Sequence, residues 1–388
     1  MSSIPVEYHG REQAYVKHTI LKTYLQRLFM IIGRNEAVIN YVDCFAGPWS
    51  EESEDLHDTS IGISLRLMKD CAKSLEEVHG CKVKFRALYI EKNKNAFAKL
   101  KSFLDNDTST CVAASCIQGD YTTKIADIAA WVSHNFTFFF IDPKGWNKVI
   151  NAPVLAPLLA LNKAEFLINF MYDFLNRAMA MKSQQTNVEE LLGKPVNFSG
   201  NESAAQRQQI IVSQYRQAIG TLYGGRSAHV TVERPGMDRV LYFLIYLTRH
   251  PKGLIVFKEA AEQMHMLQRV SQFETKLRHQ SSKRAPIDDL FGGFEEPDVV
   301  CSQDNRTLAK TYLLTQLSSR PMLIDNECWA GFLEQTDFYP SDFQLAFKEL
   351  AKEGKVVNLD AEVKNRTKKP VRPNWPRASE RWALTQPD

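Results

Sequence analysis

The chain has 388 residues, 44% hydrophobic and 24% charged, with a formal net charge of +3. That length suits two or three domains and excludes one small one, and the composition is that of a soluble globular protein. The longest apolar runs, 136–141 and 241–247, fall far short of the ~18 residues of a membrane span, and the polar stretch 1–13 has no secretion-type apolar core. Seven cysteines without a CxxC pair imply free thiols in a reducing cytoplasm, and nine scattered histidines imply no metal site.

The spacing of Val16, Ile20, Leu21, Tyr24, Leu25, Leu28 and Phe29 predicts an amphipathic helix over 11–32, ending near Gly33. Apolar runs at 37–42, 85–90, 111–117, 136–141 and 165–170 read as strands. Helical segments at 62–75, 93–104, 121–133 and 153–161 separate them. Strands that are apolar throughout and alternate with helices indicate a parallel sheet covered on both faces, with ligands bound beyond the strands' carboxyl ends. A helical insertion over about 181–224 follows, then runs 229–232 and 240–248, joined by Pro235-Gly236, which suggest a hairpin added to the sheet. The expected division is an α/β domain over 1–280, a Gly-, Pro- and acid-rich linker over 281–303, and a second domain over 304–388. In that second domain, helices at 308–317, 327–333 and 341–352 precede a strand at 355–359 and a basic loop, the order of a winged helix. The loop carries Lys364, Arg366, Lys368, Lys369, Arg372 and Arg377 with no acidic residue, and Trp375. It is expected to lie along nucleic-acid phosphates, against the alternative of a solvated tail.

Four strand ends carry residues suited to chemistry. Asp43-Cys44-Phe45-Ala46-Gly47 offers a carboxylate for a ligand ammonium and a turn where backbone approaches closely, although taken alone such a turn is more often plain strand punctuation. The G-x-G-x-x-G spacing of a dinucleotide site is missing. Glu91 can accept from both hydroxyls of a ribose or partner a helix dipole. Asp120 and Tyr121 can receive an adenine amine and cover its ring, or Asp120 can cap a helix. Phe140-Ile141-Asp142-Pro143-Lys144-Gly145-Trp146 places an acceptor carboxylate, a carbonyl and a stacking ring at the edge of the most apolar strand, which suits a planar amine.

These four turns resemble motifs I to IV of class I S-adenosylmethionine-dependent methyltransferases. With Lys17-His18-x-x-Leu21-x-x-Tyr24-Leu25 and His250-Pro251-Lys252-Gly253, the chain resembles the three-Cys-motif partner proteins, a bacterial methyltransferase-like family. The resemblance implies a Rossmann-like methyltransferase sheet with a winged-helix-like domain behind it. It assigns Asp43, Phe45, Ala46 and Gly47 to the methionine end of S-adenosylmethionine, Glu91 to its ribose, and Asp120 and Tyr121 to its adenine, with Lys17 and His18 closing that pocket. It assigns Asp142, Pro143, Lys144 and Trp146 to the methyl acceptor, a nitrogen of a nucleic acid or nucleobase-like substrate. Lys144 stands where amino-methylating relatives carry an aromatic or second proline, and Trp49 follows the first turn. The rival is a non-catalytic nucleic-acid- or partner-binding protein on the same frame. The implied partners are nucleic acid and a three-Cys-motif protein, which itself carries the cluster of cysteines.

Overall fold

The fold is that of a computed structural model describing residues 4–5, 8–47, 59–107, 109–145, 148–283, 303–360, 371 and 380–385. The chain divides into two compact units, Met1–Arg249 with Val270–Gln272, and His250–Arg269 with Phe273–Asp388. Most of the 281–303 linker expected from composition lies outside the described residues.

In the first unit, α1 (Glu12–Ile32) buries all seven of the apolar residues that predict it. Then β1 (Val38–Asp43), α2 (Ser60–His79), β2 (Lys84–Glu91), α3 (Lys94–Asp105), β3 (Val112–Gln118), α4 (Ile125–Val132), β4 (Phe136–Ile141), α5 (Ala152–Leu159) and β5 (Ala164–Phe170) alternate. Three helices, α6 (Tyr172–Met179), α7 (Gln185–Leu192) and α8 (Ala204–Tyr223), lead to the hairpin β6 (Arg226–Glu233) and β7 (Val240–Thr248). The seven strands form one sheet in the order β3-β2-β1-β4-β5-β7-β6. β1 to β5 are parallel, and β7 is antiparallel to both β5 and β6. Every residue of β4 and β5 is buried, which is why these strands read as apolar runs broken only by Thr137 in β4 and by Glu165 and Asn169 in β5. The chain passes from β1 to β2 on one side and returns to β4 on the other, so a crevice opens between the carboxyl ends of β1 and β4, the switch point where open α/β sheets bind ligands.

Register decides which side chains meet there. Asp43 pairs with Tyr89 and Phe140, Glu91 with Gln118, and Ile141 with Ile168, so Cys44, Glu91, Gly119, Asp142 and Asn169 end level at one edge. At the other end of β5, the fully buried Glu165 accepts from Tyr24 (2.7 Å), Tyr246 (2.9 Å) and Thr248 (2.7 Å). Burial pushes its carboxyl up, against the three hydroxyls, and these bonds tie α1 and β7 to β5.

The second unit contains α9 (Pro251–Lys283) apart from Val270–Gln272, α10 (Gln303–Gln316), β8 (Met322–Ile324), α11 (Asn326–Gln335), α12 (Pro340–Lys352), β9 (Val356–Asn358) and β10 (Glu380–Leu384). The strands form an antiparallel sheet in the order β8-β10-β9, and Trp329, Phe343, Phe347 and Trp382 make its aromatic core. The three predicted helices and β9 are present. β8 and β10, of three and five residues, are too short to show a periodicity, and α9 has no counterpart in the sequence expectation. Of the basic loop, only Val371 is described: it is buried and exchanges two hydrogen bonds with the Gln344 amide on α12. Lys364, Arg366, Lys368, Lys369, Arg372, Trp375 and Arg377 lie outside the described residues.

Candidate functional site

Two adjoining cavities open at the carboxyl edge. The first, about 570 Å³, is lined by Cys44, Phe45, Gly47, Glu91, Asn93, Asn95, Gly119, Asp120, Tyr121 and Asp142 to Gly145, among others. The second, about 400 Å³, lies between the same edge and α1 and is lined by Arg11, Lys17, His18, Ser60, Asn169, Met171 and Tyr242. Phe45, Gly47, Asp142, Pro143 and Lys144 line both, so the turns after β1 and β4 form the wall where the cavities meet.

The turn after β1 is built on Asp43. Its fully buried carboxylate accepts from the Phe45 N–H (3.0 Å) and the Ser60 hydroxyl (2.7 Å), so it fixes the turn and the start of α2 rather than facing a ligand ammonium. The backbone of Cys44 to Gly47 is presented in its place. Gly47 lies close to Glu91: a Cβ there would lie 2.0 Å from Glu91 Oε2, so any larger residue would displace the carboxylate. Glu91 is 9% exposed, and its Oε1 accepts from the Asn93 N–H (2.5 Å), which holds the carboxylate at the cavity wall.

Asp120 is a cap, as the plainer alternative has it. Oδ1 accepts from the Thr122 N–H (3.0 Å) and hydroxyl (2.7 Å), and Oδ2 pairs with Lys92 at 2.9 Å. The Lys92 ammonium and the Thr122 hydroxyl hold its carboxyl below the ordinary range. Tyr121 is buried with its ring 5.2 Å from Phe45, and its buried hydroxyl has no hydrogen-bond partner among the described residues.

Asp142 sits at the junction. Lys17 Nζ of α1 donates to Oδ2, and Asn169 Nδ2 donates to Oδ1 at 2.6 Å. Burial raises the Asp142 carboxyl, but the Lys17 charge and hydrogen bond, Asn169 and the His18 charge outweigh it, so the pKa falls below the ordinary value and the group is a carboxylate at neutral pH. Lys17 and His18 thus line the second cavity with Asp142. His18 Nδ1 lies 3.2 Å from the Tyr8 hydroxyl. Lys144 is exposed and lines both cavities, whereas Trp146 and Trp49 lie outside the described residues. Asn169 and Tyr242 were not anticipated. The signal for Asn169 was available, because it lies one residue before the carboxyl end of the strand beside β4.

Asp43 has a measurable signature. Burial raises its carboxyl from 3.8 to about 6, against the lowering by Ser60 and Phe45. A raised folded-state pKa means that the folded chain holds more protons between pH ~4 and ~6, so stability falls as pH rises through that window, by about 3 kcal/mol in all. Asp43→Asn keeps the shape without the charge. Thermal melts should show the variant gaining on the wild type between pH 4.5 and 7.5; an equal difference at both values would place the ionised carboxylate in a better-solvated setting.

Among the described residues, no helix is long and apolar enough to cross a membrane, and no group of three or more His, Cys, Asp or Glu side chains could hold a metal ion. No family model and no curated protein matches the chain. Solved structures similar to it include human methyltransferase-like protein 13 in complex with SAH (11% identity, 72% of this chain and 96% of that one, TM-score 0.30). A protein of Escherichia coli assigned as a methyltransferase, yhhF, has 10% identity over 59% of this chain and 85% of its own, with a TM-score of 0.28. A SAM-dependent methyltransferase from Anabaena variabilis has 11% identity over 64% and 97%, with a TM-score of 0.24. At such scores a functional reading has to rest on the site itself.

Proposed function

We propose that the chain is an S-adenosylmethionine-dependent methyltransferase acting on a nitrogen of a nucleic acid or nucleobase-like substrate. One observation carries this reading: two cavities at the switch point share a wall made of the Asp142-Pro143-Lys144 turn, so that two ligands would meet at an ionised carboxylate. The first cavity suits the cofactor. Its volume is within the range of small-molecule sites, Glu91 is fixed where a ribose would be read, and Gly47 leaves its backbone open against that carboxylate. S-adenosylmethionine, when bound, supplies an activated methyl group. Asp43 acts at one remove, by holding the turn.

The chain's own work is orientation, which can contribute ~7–11 kcal/mol. Asp142 accepts hydrogens of the acceptor amine from the second cavity and so favours the pyramidal nitrogen whose lone pair is free to attack. Pro143 leaves a carbonyl and no N–H at the turn, and Lys144 meets a phosphate or carbonyl oxygen of the substrate. Lys17 does not block this role, since a carboxylate offers about four lone-pair sites and the described bonds from Lys17 and Asn169 occupy two. In the second unit, the order α10-β8-α11-α12-β9-β10 with a three-stranded antiparallel sheet supports a winged helix, whose basic loop would add phosphate contacts. The same reading sets the protein in the bacterial cytoplasm with nucleic acid and a three-Cys-motif protein as partners.

Nucleic acid from cells with and without the protein should differ by one methylated base in mass spectrometry. The non-catalytic alternative draws on the Lys17 ammonium already seated on Asp142. Calorimetric binding of S-adenosylmethionine without turnover on DNA or RNA would favour it, and no binding at all would remove the cofactor assignment.

A further inference from the structure

Beyond the second cavity, a cluster of arginines surrounds one carboxylate. Asp173, in the first turn of α6, has a side chain only 5% exposed and faces Arg239 at 2.5 Å, Arg234 at 3.3 Å and Arg177 at 3.6 Å. The three arginine side chains are 54%, 43% and 57% exposed. One carboxylate thus faces three guanidinium groups.

The cluster is held in place and sits beside the candidate site. Met171 and Leu241 line the second cavity, and Asp173 and Arg239 are each two residues from one of them, at most about 7.6 Å between Cα atoms. The loop between β6 and β7 is closed by the Arg234 N–H donating to the Arg239 carbonyl (2.8 Å), and Gln272 Nε2 donates to the Arg234 carbonyl (2.8 Å). Next to Asp173, the Phe174 ring is 42% exposed and carries the Arg177 guanidinium 4.7 Å from its centroid. Charge from Arg207 and Arg239 also reaches Tyr172.

Arginine forks bind phosphate oxygens in a bidentate manner, and an exposed aromatic ring between such forks is the platform on which single-stranded bases stack. We propose that Arg177, Arg234 and Arg239, aligned by Asp173 beside Phe174, bind a single-stranded nucleic acid through its backbone phosphates and one stacked base, next to the cavity that takes the methyl acceptor. The proposal rests on the reading of the acceptor as nucleic acid.

Fluorescence anisotropy with a 12-nucleotide single strand, across a salt series, tests it. Replacing the three arginines by glutamine should weaken binding at least about tenfold and flatten the salt slope by roughly 0.7 for each phosphate that is no longer neutralised. Replacement by lysine, which keeps the charge on Asp173, should preserve the slope and weaken binding less. Phe174→Ala should cost roughly 5- to 150-fold, the range for one stacked base. Should the glutamine variant melt early, the lysine and Phe174 variants carry the test. Wild-type affinity in all variants, or no binding by the wild type, overturns the proposal. So does full competition by inorganic phosphate with no effect of Phe174→Ala, which would reduce the cluster to an anion site. S-adenosylmethionine affinity, measured separately by calorimetry, should not change in any of them; its absence in the wild type would instead count against the methyltransferase reading.

Discussion

Asp142→Asn should lower methyl transfer by about 10²–10³-fold, the scale seen when one preorganised polar group is removed from a reacting centre, while S-adenosylmethionine affinity stays within about threefold. The asymmetry follows from where the carboxylate points. Both oxygens are held by groups of the second cavity, Lys17 and Asn169, and its proposed ligand is the acceptor nitrogen. Asparagine keeps the size, and its carbonyl oxygen can still accept from Lys17. A melt near that of the wild type is therefore expected, and it separates lost chemistry from lost fold. Collapse of cofactor affinity together with activity would move Asp142 into the cofactor site and undo the two-cavity assignment.

Glu91→Ala should weaken S-adenosylmethionine binding by roughly 1.5–3 kcal/mol, or about 10- to 150-fold, the worth of a hydrogen bond to a charged group. Gly47→Ala is the companion variant, because its Cβ would meet Glu91 Oε2 at 2.0 Å and push the carboxylate from its place. Both should lose affinity in calorimetry. Wild-type affinity in both would exclude Glu91 as a ribose contact.

The sheet was readable because β4 and β5 are buried at every position, so that no charged residue interrupts Phe136 to Ile141. The strand ends were readable for the same reason: Asp43, Glu91 and Asp142 are the first carboxylates after apolar runs. What those carboxylates face was not readable. Asp43 and Asp120 are taken up by hydroxyls and N–H groups two or more residues away, and a residue string does not show whether a carboxylate turns to its own loop or to a cavity. The place of Lys17 was not readable either, because the docking of α1 depends on residues more than a hundred positions distant, such as Asp142. The arginine cluster escaped notice since Arg177, Arg234 and Arg239 come together only when β7 returns beside β5.

The bonds at Glu165 bear on the carboxyl edge of the sheet, at the opposite end of β5. Tyr24 and Lys17 are seven residues apart on α1, two turns, and so share one face of the helix about 10 Å apart along its axis. Tyr24 is bonded to Glu165 below the sheet's midline and Lys17 to Asp142 at its carboxyl edge, so the two side chains pin the helix at two heights. A rod pinned twice along one line cannot roll about its axis. A carboxylate buried at the far end of β5 therefore helps to fix the azimuth at which α1 presents the Lys17 ammonium to Asp142.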